Sequence, residues 1–167
     1  MKKSVALVGM MGAGKSTVGR MLAKALKYKF IDIDKEIEKS QNKSIANIFN
    51  EFGEAYFRKI EHEIINQYAD TTNTVLSLGG GAFENNETRR LLKNKATVIY
   101  LKAAPQTLFK RIKTSIQRPL LHKNFSVETI AFILKRREIN YIKADIVIET
   151  TRKTRREVVL KILNILK

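Results

Sequence analysis

The chain has 167 residues, 44% of them hydrophobic and 29% charged, which suits one globular domain with a sizeable core and excludes a disordered chain. It has no cysteine, so disulfides, thiolate metal sites and cysteine nucleophiles are excluded, and no apolar run approaches the roughly 20 residues that span a bilayer. The formal charge of +16 divides into a net +5 over residues 1–101 and +11 over residues 102–167, which attracts polyanions but also describes solvated helix faces.

In chain order, the opening MKKSVALVGMMGAGK has the lysines and apolar run of a secretory leader. Gly9, Gly12, Gly14 and Lys15 interrupt that run, so a strand over Ser4–Val8 and a glycine-rich loop explain it better, and the chain reads as cytoplasmic. Val18, Met21, Leu22, Ala25 and Leu26 then follow helical spacing. Further strands are expected at Phe30–Ile33, Thr74–Leu78, Thr97–Leu101 and Ile146–Ile148. Ser44 suits the N-cap of a short helix with Ile45, Ile48 and Phe49, and a longer helix after Gly53 lines up Phe57, Ile60, Ile64 and Tyr68. Pro105 opens a helix with Leu108 and Ile112 inward, and Ser126 opens another that runs to about Lys143. Thr154 and Glu157 form a capping-box pair for a last helix carrying Val159, Ile162, Leu163 and Leu166. Lys113–Phe125 follows no period, contains Pro119 and is long enough for a functional lid; His122 within it reads as a surface residue. The alternation predicts an α/β fold with three α/β/α layers around a five-stranded parallel sheet.

Gly9-Met-Met-Gly-Ala-Gly-Lys-Ser16 matches the phosphate-loop pattern, between a predicted strand and a predicted helix. Glycines let successive N–H groups converge on phosphate oxygens, and the following helix turns its positive end toward the same anion. Lys15 suits the outer phosphates and the Ser16 hydroxyl suits Mg²⁺. The later chain has no guanine-reading Asn-Lys-x-Asp, and the third strand, TVLSLGGGAF, ends without the acidic residue usual in motor and helicase ATPases. A small kinase acting on a small molecule remains.

Its metal-side carboxylate is found instead on the second strand, in KFIDID, where Asp32 and Asp34 lie two residues apart. On a strand such a pair faces one way, here toward the crevice beside the phosphate loop. Helix capping is the competing explanation, and it suits Asp34 better than Asp32.

Five stretches then resemble one family in order and spacing. They are Gly9–Arg20, Asp32-Ile-Asp34, Gly53-Glu-Ala-Tyr-Phe-Arg58-Lys-Ile-Glu61, Gly79-Gly80-Gly81 and Arg118-Pro-Leu120. Together they resemble shikimate kinase over nearly the whole chain. The resemblance implies a phosphate-loop kinase fold whose single domain, 1–167, carries a helical substrate-binding insert at about 34–70 and a mobile lid at about 113–125. It implies that ATP and Mg²⁺ serve the transfer of the γ-phosphoryl group to a hydroxyl of shikimate. The nucleotide would meet Gly12, Ala13, Gly14, Lys15, Ser16 and Thr17, with Arg118 reaching its phosphates, Arg111 against the adenine and Lys153 in the adenine loop. Asp34 would bind the acceptor hydroxyls, Arg58 and Arg137 its carboxylate, and Gly80 would offer a backbone N–H. Ser16, and Asp32 through water, would hold Mg²⁺, with Lys15, Asp34 and Arg118 carrying catalysis.

The residue types suit these roles, because guanidinium forks clamp carboxylates and glycine permits close backbone approach. Arg137 follows Lys135 and Arg136, so the residues alone leave open which of the three works. Two rival readings are a gluconate or nucleoside-monophosphate kinase of the same fold and an RNA-binding protein with an idle phosphate loop. Asp-x-Asp with the triple glycine argues against the first. Against the second, the densest basic run, RKTRR at Arg152–Arg156, has no interleaved aromatic residue. The expected partners are therefore shikimate and a nucleotide, with no nucleic acid and no membrane, and the expected state is a monomer.

Overall fold

Short apolar runs separated by amphipathic helices form parallel strands, because each crossover helix returns the chain to the same edge. The computed structural model describes residues 4–114 and 126–166. Its strands are β1 (Val5–Val8), β2 (Lys29–Asp32), β3 (Thr74–Ser77), β4 (Thr97–Lys102) and β5 (Ile146–Glu149). They form one parallel sheet in the order β2-β3-β1-β4-β5, with Val5 in register with Val75 on one side and Thr97 on the other. Burial follows that order. Every residue of β1 and β3 is buried, whereas the edge strands β2 and β5 are only partly covered.

Among the described residues seven α-helices accompany the strands: α1 (Lys15–Leu26), α2 (Ile33–Gln41), α3 (Ile45–Ala69), α4 (Asn86–Lys95), α5 (Pro105–Lys113), α6 (Val127–Tyr141) and, after β5, α7 (Arg155–Leu166). Helix α1 packs on β2, β3 and α7, while α4 packs on β4 and α3. This is the expected α/β/α architecture. Among the described residues no helix is long and apolar enough to cross a membrane.

Local differences from the expectation have physical causes. The two helices expected around Gly53 are halves of α3, which bends where Gly53 adopts φ 79° and ψ 175°. Helix α4 carries the polar sequence NETRRLLKNK and buries only Thr88 and Leu92, so it shows little period; Asn85 caps it by accepting from the Thr88 N–H at 3.0 Å. Strand β2 ends at Asp32, and Ile33 and Ile37, both buried, begin α2 immediately. Asp34 therefore belongs to the first turn of a helix and not to a strand, which corrects the shared strand face expected of Asp32 and Asp34. Asp32 holds the N-cap position of α2, yet its side chain makes no capping bond.

The other caps form as expected. Ser44 accepts from Asn47 N–H and Ser126 from Thr129 N–H, each at 3.2 Å. Thr154 Oγ1 accepts from Glu157 N–H at 3.2 Å, while Glu157 Oε2 accepts from Thr154 N–H at 2.7 Å. Behind this box Val159 and Ile162 are buried, and Leu163 and Leu166 pack against the core. Losing such a cap costs about 1 kcal/mol, so Thr154→Ala should lower Tm by about 2–4 °C while Thr154→Ser should not. A thermal melt of the two variants checks this, and an unchanged Tm for Thr154→Ala removes the box from the forces holding α7.

Candidate active site

The phosphate loop leaves the C-terminal end of β1 and enters α1. Gly12 and Gly14 adopt φ 77° and 95°, a region costly for residues with a side chain. Gly14 is the N-cap of α1 and supplies no side chain to its first N–H groups, the arrangement that leaves a helix end free for an anion. Ala13 is buried and its N–H bonds the Met10 carbonyl at 3.2 Å. Lys15 Nζ donates to the carbonyls of Gly9 and Met10 at 2.7 and 2.9 Å, which holds the ammonium over the loop. Thr17 lies in the first turn of the same helix.

Ser16 Oγ donates to Asp32 Oδ2 at 2.6 Å and lies 3.3 Å from Ser77 Oγ. The end of β2 thus brings its carboxylate to the start of α1, with a second hydroxyl from β3. These hard oxygen donors fit Mg²⁺, which takes one or two protein oxygens and completes its shell with phosphate and water. Among the described residues no group of three or more His, Cys, Asp or Glu could hold a metal alone. Ser77 was missed in the sequence, since a serine ending a strand carries no specific signal.

Helix α5 packs against the loop so closely that a methyl group on Gly12 would lie 2.7 Å from Ile112 Cγ1. It carries Arg111, whose Nη2 and Nη1 donate to Thr150 O and Oγ1 at 3.0 and 3.3 Å. Burial, then the nearby Arg155 charge, pulls this guanidinium below its ordinary pKa. Lys153 is exposed on the same loop after β5. Arg118, His122 and most of the expected lid lie outside the described residues.

A second cluster of charged side chains forms around the triple glycine after β3. A methyl group on Gly79 would lie 2.6 Å from Glu61 Oε1 and 2.8 Å from Asp34 Oδ1, and one on Gly81 would lie 2.8 Å from Arg58 Cζ. At Gly80 the neighbours would be Arg137 Nη1 at 3.3 Å and the Met11 nitrogen at 3.5 Å. Asp34, Arg58, Gly80 and Arg137, which are far apart in sequence, therefore meet beside the phosphate loop. Arg137 is half-buried with Nη1 3.8 Å from Met10 Sδ, whereas Lys135 and Arg136 are exposed. Of the three basic neighbours, Arg137 alone turns inward.

Arg58 is held and not loosely solvated: Nη1 donates to Glu61 Oε2 at 2.6 Å, and Nε and Nη2 each to Glu54 Oε1 at 3.3 Å. Burial alone would lower its pKa, but these carboxylates outweigh that and raise it. Glu61 is the residue that the sequence reading passed over. It stands next to Ile60, which packs against the core as expected, is itself only 2% exposed, and its Oε1 makes no hydrogen bond among the described residues. A signal existed, since Glu61 stands four residues after buried Phe57 and three after Arg58, where helical side chains share a face. Burial is the main cause raising the Glu61 pKa; Arg58 opposes it, and the Asp34 charge adds to it.

A carboxyl raised in this way keeps its proton in the folded chain at pH values where the unfolded chain has lost it. The folded state then binds more protons, so stability falls as pH rises from the ordinary glutamate range through the raised value. Glu61→Gln should flatten the Tm–pH profile across that window. Parallel profiles for variant and wild type would show that Glu61 does not titrate there.

The comparisons with known proteins agree with this geometry. The family model described as shikimate kinase matches residues 11–167. Shikimate kinase of Persephonella marina is 43% identical over 161 residues, covering 96% of this chain and 97% of that protein. Two solved structures are similar in fold. Shikimate kinase from Acinetobacter baumannii in complex with shikimate gives a TM-score of 0.92 at 36% identity, covering 98% of this chain and 92% of that one. The enzyme from Bacteroides thetaiotaomicron gives 0.90 at 31% identity, covering 98% and 97%. The matched family model includes both sides of the crevice, and the chain belongs to the shikimate kinase family.

Proposed function

We propose that the protein transfers the γ-phosphoryl group of ATP to a hydroxyl of shikimate, giving shikimate 3-phosphate for aromatic amino-acid biosynthesis. The observation that carries this reading is the meeting of two guanidinium groups and a carboxylate, Arg58, Arg137 and Asp34, at a glycine backbone beside a phosphate loop. A hydroxylated carboxylic acid offers the complementary groups: a carboxylate for the arginines and hydroxyls for the aspartate. Such a match argues against a nucleoside monophosphate as acceptor; gluconate offers the same groups, and membership of the shikimate kinase family is what disfavours it, so no second reading is favoured.

In this reading the loop residues Gly12, Ala13 and Gly14, the first turn at Ser16 and Thr17, and Lys15 hold the ATP phosphates. Lys15 neutralises charge that grows on the transferring group. Arg118, by the family resemblance, joins it there, while Arg111 and Lys153 serve the adenine. Asp34 accepts from the attacking hydroxyl and takes its proton, and Arg58, Arg137 and the Gly80 N–H fix the acceptor. Ser16, and Asp32 through water, would hold Mg²⁺, which supplies charge neutralisation at the phosphates. The protein acts as a cytoplasmic monomer on small molecules, without a nucleic-acid partner.

An ATP-coupled assay with a panel of hydroxylated carboxylic acids tests the acceptor. Shikimate should give the highest kcat/KM, and preference for another acid would overturn the reading. Arg58→Ala and Arg137→Ala should each raise KM for shikimate, by roughly 2–4 kcal/mol, while KM for ATP stays unchanged. With a shikimate analogue that lacks the carboxylate, both variants should match the wild type. If they remain worse, carboxylate recognition is not their role.

The two aspartates should separate in the same assay. Asp32→Asn should raise the Mg²⁺ concentration needed for activity and leave shikimate binding nearly intact. Asp34→Asn should weaken shikimate binding and turnover without moving the Mg²⁺ curve. One shared curve shifting in both variants would rule out the division.

A further inference from the structure

A run of three glycines has broad backbone freedom, so a site built on it needs pins from outside. Two of its carbonyls are used locally, Gly79 O by Ala82 N–H at 3.2 Å and Gly81 O by Glu84 N–H at 3.0 Å. The middle carbonyl, Gly80 O, accepts from the hydroxyl of Tyr141, 61 residues further along the chain. Tyr141 stands four residues after Arg137 on α6, so one helix face presents both side chains to the same glycine.

We propose that Tyr141 is a positioning residue of the acceptor site: its hydroxyl anchors the Gly80 carbonyl and so sets the backbone against which Arg137 and the acceptor are placed. The proposal rests on the reading of Gly80 and Arg137 as acceptor-binding groups. The hydroxyl is itself held rigidly. The Tyr141 ring is fully buried and stacks on Tyr100 of β4, with ring centroids 4.9 Å apart and planes 27° from parallel. Tyr100 lies in turn beneath the phosphate loop, where a methyl group on Gly9 would sit 3.5 Å from its Cδ2. The stacked pair thus connects the start of the phosphate loop to the middle of the acceptor loop. Burial pushes the Tyr141 hydroxyl up to about 12, so it remains a protonated donor near neutral pH. Phenylalanine would fill the same volume in the stack, so packing alone does not require the hydroxyl, whereas the bond to Gly80 does.

Steady-state kinetics of the full chain against shikimate and ATP, with Tyr141→Phe and Tyr100→Phe beside the wild type, test this. Tyr141→Phe should raise KM for shikimate about tenfold, the size of one lost hydrogen bond, and leave KM for ATP unchanged. Tyr100→Phe keeps the stack and the Gly80 bond and should leave both constants unchanged. Wild-type kinetics for Tyr141→Phe, or equal shifts in the two variants, would overturn the proposal. Hydrogen exchange at residues 79–82 decides it independently of the acceptor: Tyr141→Phe should speed exchange there and Tyr100→Phe should not, and unchanged exchange overturns it. Wild-type inactivity toward shikimate would instead refute the acceptor assignment, with the exchange result still deciding the role of Tyr141.

Discussion

Strands β1 and β3 run parallel and adjacent in the sheet, so the loops leaving their C-terminal ends emerge side by side. Adjacent strands are about 4.8 Å apart, which leaves little room for side chains between two such loops. One is the phosphate loop and the other is a run of glycines, and a methyl group on Gly80 would already lie 3.5 Å from the Met11 nitrogen. This backbone-to-backbone approach brings a phosphate-binding site and a second, acidic and basic site into one crevice. The remaining elements deliver side chains to it: α2 brings Asp34, α3 brings Arg58 and Glu61, and α6 brings Arg137 and Tyr141.

Charge in the crevice is balanced locally, although the chain as a whole carries +16. A guanidinium moved out of water without a partner is costly, and a buried carboxylate equally so. Glu61 and Arg58 meet this constraint together, with Glu61 nearly buried and Arg58 held by two carboxylates. Glu61 also crowds Asp34, and the two acids beside the triple glycine counter the arginines there. At the phosphate side Asp32 takes the Ser16 hydroxyl in place of capping α2. Among the described residues, the surplus of positive charge from residue 102 onward reaches this geometry through Arg111, Arg137 and the basic loop after β5.

Much of this was legible in the residues. The phosphate loop is a local device, since its glycines, lysine and serine act within eight consecutive positions. The five strands in outline and the caps at Ser44, Ser126 and Thr154 also depend on near neighbours, and each forms as expected. The resemblance also named Asp32, Asp34, Arg58, Gly80 and Arg137 as one set, while the residue types alone left Arg137 open against Lys135 and Arg136. Helix α4 was not legible, because a polar helix that buries only Thr88 and Leu92 leaves almost no period.

The sequence by itself determined the nucleotide loop, the parallel α/β plan and the chemical character of the site, since short-range spacing and side-chain type suffice for these. Tertiary structure decided which of Lys135, Arg136 and Arg137 turns inward, that Asp34 reaches the crevice from a helix turn, and that Glu61 and Tyr141 lie against the triple glycine. Those outcomes depend on contacts between residues far apart in the chain: Tyr141 with Gly80, Arg137 with Met10, Asp34 with Glu61. A helical period leaves the inward direction uncertain by one residue, the distance between Ile60 and Glu61. Only the packing of α3 against the triple glycine settles which of the two is buried.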